Sequence, residues 1–331
     1  MSGLPEVVMQ SIRRILVAVK DPGASVLPAI VKGTQLARAF GAELELFHAI
    51  DEAVYVDMLG TNMEGVRQLE SQQRRDCLQR LERIAARVRL HTPTVSVAAE
   101  WDFPAYAAIV RRAIASGADL VVAEQHPGSH LAQGLLQLAD WELLRLAPMP
   151  VLLVKNPHPY HYPTILGAVD PGHAFGKSGT LDLEILRLGA LLSHALRGEL
   201  HAVHAYRPPP AMSRALAAVA GSVVAETNAV SAGVGLDSLV KEAGVTLAGC
   251  HLVGGDPCEA VEQVAHRLHA HIVVAGAVSR SGLQRALIGN SAERLLEHLP
   301  CDLLIVKPAE FVNRVSNVKR GARQVTAQPL G

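Results

Sequence analysis

Asp119-Leu-Val-Val-Ala123 and Val151-Leu-Leu-Val-Lys155 return, 152 residues later and without a gap, as His271-Ile-Val-Val-Ala275 and Leu303-Leu-Ile-Val-Lys307. Two matches at one constant spacing mean that a single unit has been duplicated, and repetition of this kind decides the organisation before any local pattern does. Nearer the start of each unit, Arg14-Ile-Leu-Val-Ala-Val19 recurs as Thr164-Ile-Leu-Gly-Ala-Val169. Glu45-Leu-Phe-His-Ala49 recurs within a small gap as Leu200-His-Ala-Val-His-Ala205, which sets His48 over His204.

Each unit alternates short, β-branched, nearly continuous apolar runs with helical patterns, as parallel strands covered on both faces require. The runs are 15–19, 44–50, 95–99, 120–123 and 151–154 in the first unit, and 165–169, 200–206, 246–253, 272–275 and 303–306 in the second. Between them Leu81, Ile84, Ala85 and Val88 fall at helical spacing, as do Val261, Val264, Ala265 and Leu268. The expected fold is therefore α/β: two tandem Rossmann-like domains, each a five-stranded parallel sheet flanked by helices. Asn156-Pro-His-Pro-Tyr-His-Tyr-Pro163 cannot continue a helix or a central strand. The expected boundaries are a first domain over 12–156, a linker over 157–163, a second domain over 164–310 and a flexible tail over 311–331.

Composition narrows the function. Lys and Arg number 31 and so do Asp and Glu, so no net field draws the 331-residue chain to nucleic acid or an acidic membrane. Aromatic residues are only 4%, too few for base-stacking platforms. Cys77, Cys250, Cys258 and Cys301 lack the close pairing of a zinc or thioredoxin-type site and are expected to be reduced, mostly buried thiols. The N-terminal stretch places Arg13 and Arg14 after, not before, a short apolar segment, unlike a signal peptide. No apolar run approaches the ~20 residues that cross a bilayer. The expectation is a cytoplasmic protein with neither a nucleic-acid nor a membrane partner.

Chemistry is sought first after the fourth strand of the second unit, in Ala275-Gly-Ala-Val-Ser-Arg-Ser-Gly-Leu-Gln-Arg-Ala-Leu-Ile-Gly-Asn-Ser-Ala-Glu-Arg294. A glycine at the strand's end permits close backbone approach, and Gly289-Asn290-Ser291 opens a helix whose first N–H groups suit an anion. Ordinary helix capping uses the same residues, so the pattern alone leaves both readings open.

These residues resemble the universal stress protein family in its tandem-domain, E-type form. Nucleotide-binding members carry Gly-x2-Gly-x9-Gly-Ser/Thr after the fourth strand. Here the motif reads Gly276-x2-Ser279-x9-Gly289-Asn290-Ser291, with a serine for the second glycine and an asparagine inserted before the hydroxyl residue. The Gly-Asn-Ser-Ala-Glu run, Asp140-Trp141 with Leu143-Leu144-Arg145, and the ending Cys301-Asp-Leu-Leu-Ile-Val-Lys-Pro308 are similar to the E-type subgroup. The resemblance covers about residues 12 to 311 and implies an adenine nucleotide alpha hydrolase-like fold. It also implies candidate nucleotide contacts at Asp170, Gly276, Ser279, Arg280, Gly289, Asn290 and Ser291, for ATP or another phosphate-bearing ligand. Asp170 ends the first strand of the second unit, where family members place an aspartate near adenosine; Asp170-Pro171-Gly172 is equally a good turn. In the first unit Lys20 stands at that position, Glu124 replaces Gly276 and Gln137-Leu138 replaces Gly289-Asn290, so no triphosphate is expected there.

Other motifs carry less. Gly172-x3-Gly176-Lys177-Ser178 is one residue short of a P-loop. Ser178-Gly-Thr-Leu-Asp182 echoes the loop of ATP pyrophosphatases but lacks its second glycine and final serine. Of the 15 histidines, His201 and His204 face opposite sides of a strand, and His266 and His269 have no evident acidic or thiol partner, so no metal site is expected. No Ser/His/Asp arrangement can be assembled. The resulting expectation is a non-enzymatic stress-response or signalling module holding a nucleotide in its second domain. The alternatives are an interaction scaffold with no nucleotide, or a nucleotide hydrolase of the related α/β group. In the family the last strands of such units commonly pair, so Val151–Val154 and Leu303–Val306 are expected to pair antiparallel within a chain, and two such pseudo-dimers to form a homodimer.

Overall fold

A computed structural model describes residues 11–56, 63–92, 94–125, 141–172, 179–206, 230–277, 295 and 297–326. The chain divides into two compact units, one on Arg14–Pro159 joined by the C-terminal segment from Glu310, the other on Tyr160–Leu283 and Gly289–Ala309.

In the first unit the strands are β1 (Arg14–Ala18), β2 (Glu43–Ile50), β3 (Ala53–Val56), β4 (Val95–Trp101), β5 (Leu120–Glu124) and β6 (Val151–Val154). Its helices are α1 (Pro28–Phe40), α2 (Met63–Val88), α3 (Ala105–Ser116) and α4, described over 141–146. β1 lies parallel between β2 and β5, with Ile15 facing both Leu44 and Leu120; β4 flanks β2 and β6 flanks β5. The second unit repeats this arrangement with β7 (Thr164–Val169), β8 (Glu199–Tyr206), β9 (Gly249–Gly254), β10 (Ile272–Gly276) and β11 (Asp302–Val306). Its helices are α5 (Gly179–Leu196), α6, described over 230–243, and α7 (Pro257–Arg267). β7 lies between β8 and β10, β9 flanks β8, and β11 flanks β10. β1, β5, β6, β10 and β11 are buried along nearly their whole length, which is why their sequences are continuously apolar and do not alternate.

Helices reach the sheet through two matched glycines, each ten residues before a strand-opening glutamate. A Cβ at Gly33 of α1 would lie 2.4 Å from Val17 Cγ2, and one at Gly189 of α5 would lie 2.7 Å from Leu200 Cδ1. The two helices end alike, on Gly41 at φ 65° and Arg197 at φ 55°. They begin differently. Pro28 opens α1 because its ring and missing N–H oppose any earlier turn, whereas Glu184 stands at the matching position of α5 and lets that helix start at Gly179. At α7, Asp256 caps by accepting from the amides of Cys258 and Glu259 at 3.0 and 3.2 Å.

Strand β4 forms an edge of the first unit's sheet, and α2 with the chain just after it blunts that edge. Arg89 donates to the Val95 carbonyl at 3.0 Å, and Arg74 donates to the Ala99 carbonyl at 2.9 Å, occupying acceptors that would otherwise invite a further strand.

Several expectations need correction. β9 starts at Gly249, not at 246, because α6 ends near Gly244 (φ 68°) and the chain needs the intervening residues to reach the sheet edge. Cys258 and Cys301 are buried, but Cys250 on β9 is exposed and Cys77 is half-buried. In the linker, Tyr160 is buried against the second unit, where its hydroxyl meets Asp302. The tail is not loose over 311–326: it lies on the first unit and ends in a strand, β12 (Arg323–Thr326), parallel to β3. Residues 327–331 lie outside the described part.

Candidate functional site

In the second unit the chain runs one way from β7 to β8 and β9 and the other way through β10 to β11, so the order reverses between β7 and β10. A doubly wound sheet binds ligands in the crevice at the carboxyl ends of the strands beside such a reversal. Asp170 and Gly276 flank it: Ala168 of β7 is in register with Ala275 of β10, and the two residues follow at the strand ends.

Asp170 is only 3% exposed. Its backbone amide donates to Asp182 Oδ2 at 3.0 Å, so the fully buried Asp182 in the first turn of α5 ties the end of β7 to that helix. The first unit behaves differently at the corresponding corner, where exposed Asp21 folds back to accept from the Gly23 amide at 2.7 Å, an ordinary side-chain turn. Pro171 lies beside α6, since a Cβ at Gly235 would stand 3.6 Å from Pro171 Cβ.

Gly276 has a packing role that the sequence reading missed. A Cβ there would come within 2.5 Å of Leu181 Cδ2, so the bare strand end admits Leu181, itself fully buried on the N-terminal extension of α5. The close approach is thus made by a side chain of the same unit. Ser279, Arg280, Gly289, Asn290 and Ser291 lie outside the described residues, as do Gly176, Lys177 and Ser178 of the P-loop look-alike and Gln137-Leu138 of the first unit. Glu124 closes β5 beside β1, at the reversal point of the first unit's sheet.

The repeated histidines share one contact. His48 Nδ1 lies 2.8 Å from the Val19 carbonyl, and His204 Nδ1 lies 3.2 Å from the Val169 carbonyl. A carbonyl only accepts, so Nδ1 carries the proton in both rings, and each histidine pins the end of its unit's first strand. That is a shared fold position. His201, on the same strand as His204, instead stacks on His251 of β9, with ring centroids 5.4 Å apart. Arg267 Nη2 donates to His251 Nδ1 at 3.0 Å, so the neutral His251 donates from Nε2 to His201 Nδ1 at 3.2 Å. Burial, then the charge of Arg267, hold the His251 pKa below its ordinary value. Among the described residues no three His, Cys, Asp or Glu side chains gather for a metal ion, and no helix is long and apolar enough to cross a membrane.

A cleft of about 540 Å³ opens at the opposite, N-terminal end of the first unit's strands, beside Arg14, Glu43, Glu45 and Arg112. Its charges already satisfy one another as Arg14–Glu43 and Arg112–Glu45 pairs. The reversal point of the second unit, not this cleft, is the candidate site.

Comparison with known proteins agrees with the duplication. The model of the universal stress protein family matches residues 11–155 and again 161–307. The chain is 30% identical to universal stress protein E of Escherichia coli K12 over 223 residues, covering 66% of this chain and 69% of that protein. It is 31% identical over 195 residues to the universal stress protein E homolog of Haemophilus influenzae, covering 58% and 63% of the two chains. Among solved structures, a protein of unknown function from Pseudomonas aeruginosa PAO1 superposes with a TM-score of 0.67 at 25% identity, over 92% of this chain and 95% of that one. A universal stress protein from Archaeoglobus fulgidus shares the fold, with a TM-score of 0.60 at 14% identity over 89% and 97% of the two chains. With one family match in each half of the chain, meeting at the proline-rich connection, this protein belongs to the universal stress protein family and carries two of its domains in tandem.

Proposed function

We propose that this protein is a non-catalytic stress-response module whose second unit holds an adenine nucleotide, or another phosphate-bearing ligand, at the crevice between β7 and β10. The observation that carries this reading is the placement of Asp170 and Gly276 on adjacent strand ends at the reversal point, with the Gly276-x2-Ser279-x9-Gly289-Asn290-Ser291 run leaving from the same corner. The buried Asp170 is suited to accept from a ribose or adenine donor, and the amides around Gly289 to meet phosphate. Glu124 brings negative charge to the matching corner of the first unit, so the ligand belongs to one unit only. Calorimetric titration with ATP tests this: at most one weak site per chain is expected, and two sites per chain defeat it.

A second reading, a scaffold that holds no nucleotide, draws on Leu181, whose side chain already occupies the space beside Gly276. Mass analysis of small molecules released from the purified protein separates the two. For assembly we propose a homodimer of chains, which sedimentation equilibrium tests.

A further inference from the structure

Beyond β11 the chain turns back to basic and polar sequence, Asn313-Arg-Val-Ser-Asn-Val-Lys-Arg-Gly-Ala-Arg-Gln-Val-Thr326, with no apolar period to form a core element of its own. It is nevertheless held along the first unit, and chiefly by its main chain. Arg111 of α3 and Asp102, just after β4, form a buried ion pair, Nε to Oδ2 at 2.7 Å. Each partner keeps one hydrogen-bonding position for the segment: Asp102 Oδ1 accepts from the Arg320 amide at 2.9 Å, and Arg111 Nη1 donates to the Ser316 carbonyl at 3.1 Å. Beyond them β12 pairs with β3 over four residues, from Arg323 opposite Ala53 to Thr326 opposite Val56.

Charge adds direction to this backbone recognition. Glu100, already bonded to Arg112 at 3.0 Å, also pairs with Lys319, and the Arg320 guanidinium lies 5.7 Å above the Phe103 ring. The segment is shaped for the groove by its own turns, Asn313 Oδ1 accepting from the Val315 amide and Ser316 Oγ from the Val318 amide. Gly321 then takes φ 71°, a left-handed bend that a side chain would strain, and leads into β12. Among the described side chains apolar burial contributes little: none over 310–323 is buried, and Val312 and Val318 remain 73% and 72% exposed. Attachment by backbone hydrogen bonds and screened charge, with few buried side chains, is specific in direction and separable from the fold.

We propose that the first unit carries a receptor groove for an extended basic polypeptide segment, formed by β3, Glu100, Asp102, Phe103 and Arg111, and that residues 314–326 occupy it in cis as a detachable arm. The chemistry is that of strand addition combined with acidic side chains that read a basic stretch.

The test introduces a protease site between Ala309 and Glu310 of the full chain and cuts it. The severed arm is expected to co-elute with the body at low salt and to leave it at about 1 M salt, where the screening length falls to about 3 Å. A labelled peptide spanning 310–331 is then expected to bind the cut, stripped body, and to bind the uncut chain at least about tenfold more weakly because the arm competes. Carrying Lys319→Glu and Arg320→Glu in the peptide, which leaves the receptor's folding untouched, should weaken binding by about tenfold or more. Absence of peptide binding up to about 1 mM by a stripped body with unchanged circular dichroism would overturn the proposal. So would equal binding to cut and uncut protein, or a dimer that disappears when the arm is removed, since the last would place the arm on a second copy.

Discussion

The hydroxyl of Tyr160 donates to Oδ2 of Asp302 at 2.5 Å, and both side chains are buried, at 3% and 0% exposure. The connection between the domains is thereby anchored to the first residue of β11. Tyr160→Phe removes a donor from a buried carboxylate and is expected to cost about 1–3 kcal/mol. Urea unfolding of the second unit measures it. The same pair has a pH signature. Burial, and then the charge of Asp302, push the Tyr160 pKa well above its ordinary value near 10. A pKa raised on folding contributes stability below the unfolded value and loses it as pH climbs toward the folded one. Wild type should therefore lose stability above about pH 10 in a phase that Tyr160→Phe lacks; superimposable alkaline limbs would refute the assignment.

Gly276 and Leu181 make a reciprocal pair. Gly276→Ala brings a Cβ to about the 2.5 Å approach of Leu181 Cδ2, and such overpacking costs about 1–3 kcal/mol. Leu181→Ala alone leaves a cavity and costs about 2–5 kcal/mol. The double variant is expected to be clearly less destabilised than the sum of the two, because each relieves the other's defect. Denaturant midpoints of all four proteins form the test, and strict additivity is the contrary result.

ATP binding should be weak or undetectable. At a motif position that takes positive φ, a serine in place of glycine, as at Ser279, would cost about 1–2 kcal/mol, and an asparagine between Gly289 and Ser291 would displace the hydroxyl that a Gly-Ser pair aims at phosphate. Two such losses move a micromolar site to about 10–100 micromolar or weaker. Ser279→Gly with Asn290→Ser is expected to tighten ATP binding. Tight binding by the unaltered chain, or no gain in the double variant, would show that these two departures from the family motif do something else.

At the β9 edge the pH dependence runs the opposite way. His251 has its pKa lowered by burial, by Arg267 and by His201, so between that value and about 6.5 the unfolded chain binds more protons than the folded one. Stability from this group is present above about pH 6.5 and is lost as pH falls through the depressed folded value. His251→Asn is expected to flatten the acid limb of a melting-temperature profile below about pH 6.5. An unchanged limb would mean that the Arg267–His251–His201 chain contributes nothing to folding.

Duplication, the ten core strands and the parallel sheets were legible in the sequence because they rest on local patterns: fully buried strands must be continuously apolar, and a repeated unit must repeat those runs. The matched His48 and His204 were legible for the same reason. What Gly276 does was not, since a glycine before a loop reads alike whether a phosphate or Leu181 approaches it. That outcome hangs on α5 starting earlier than α1, through the contrast between Pro28 and Glu184. Neither was the arm. β3 and β12 are four residues each, too short to show a period, and Asp102, Arg111 and the Ser316 carbonyl become partners only when segments far apart in the chain meet. Which segments had to be buried could be read from the order of the amino acids, because burial is written in side-chain hydrophobicity. Which polar groups face one another emerges with the folded chain, because a hydrogen bond depends on distance and angle between groups whose spacing along the chain carries no such information.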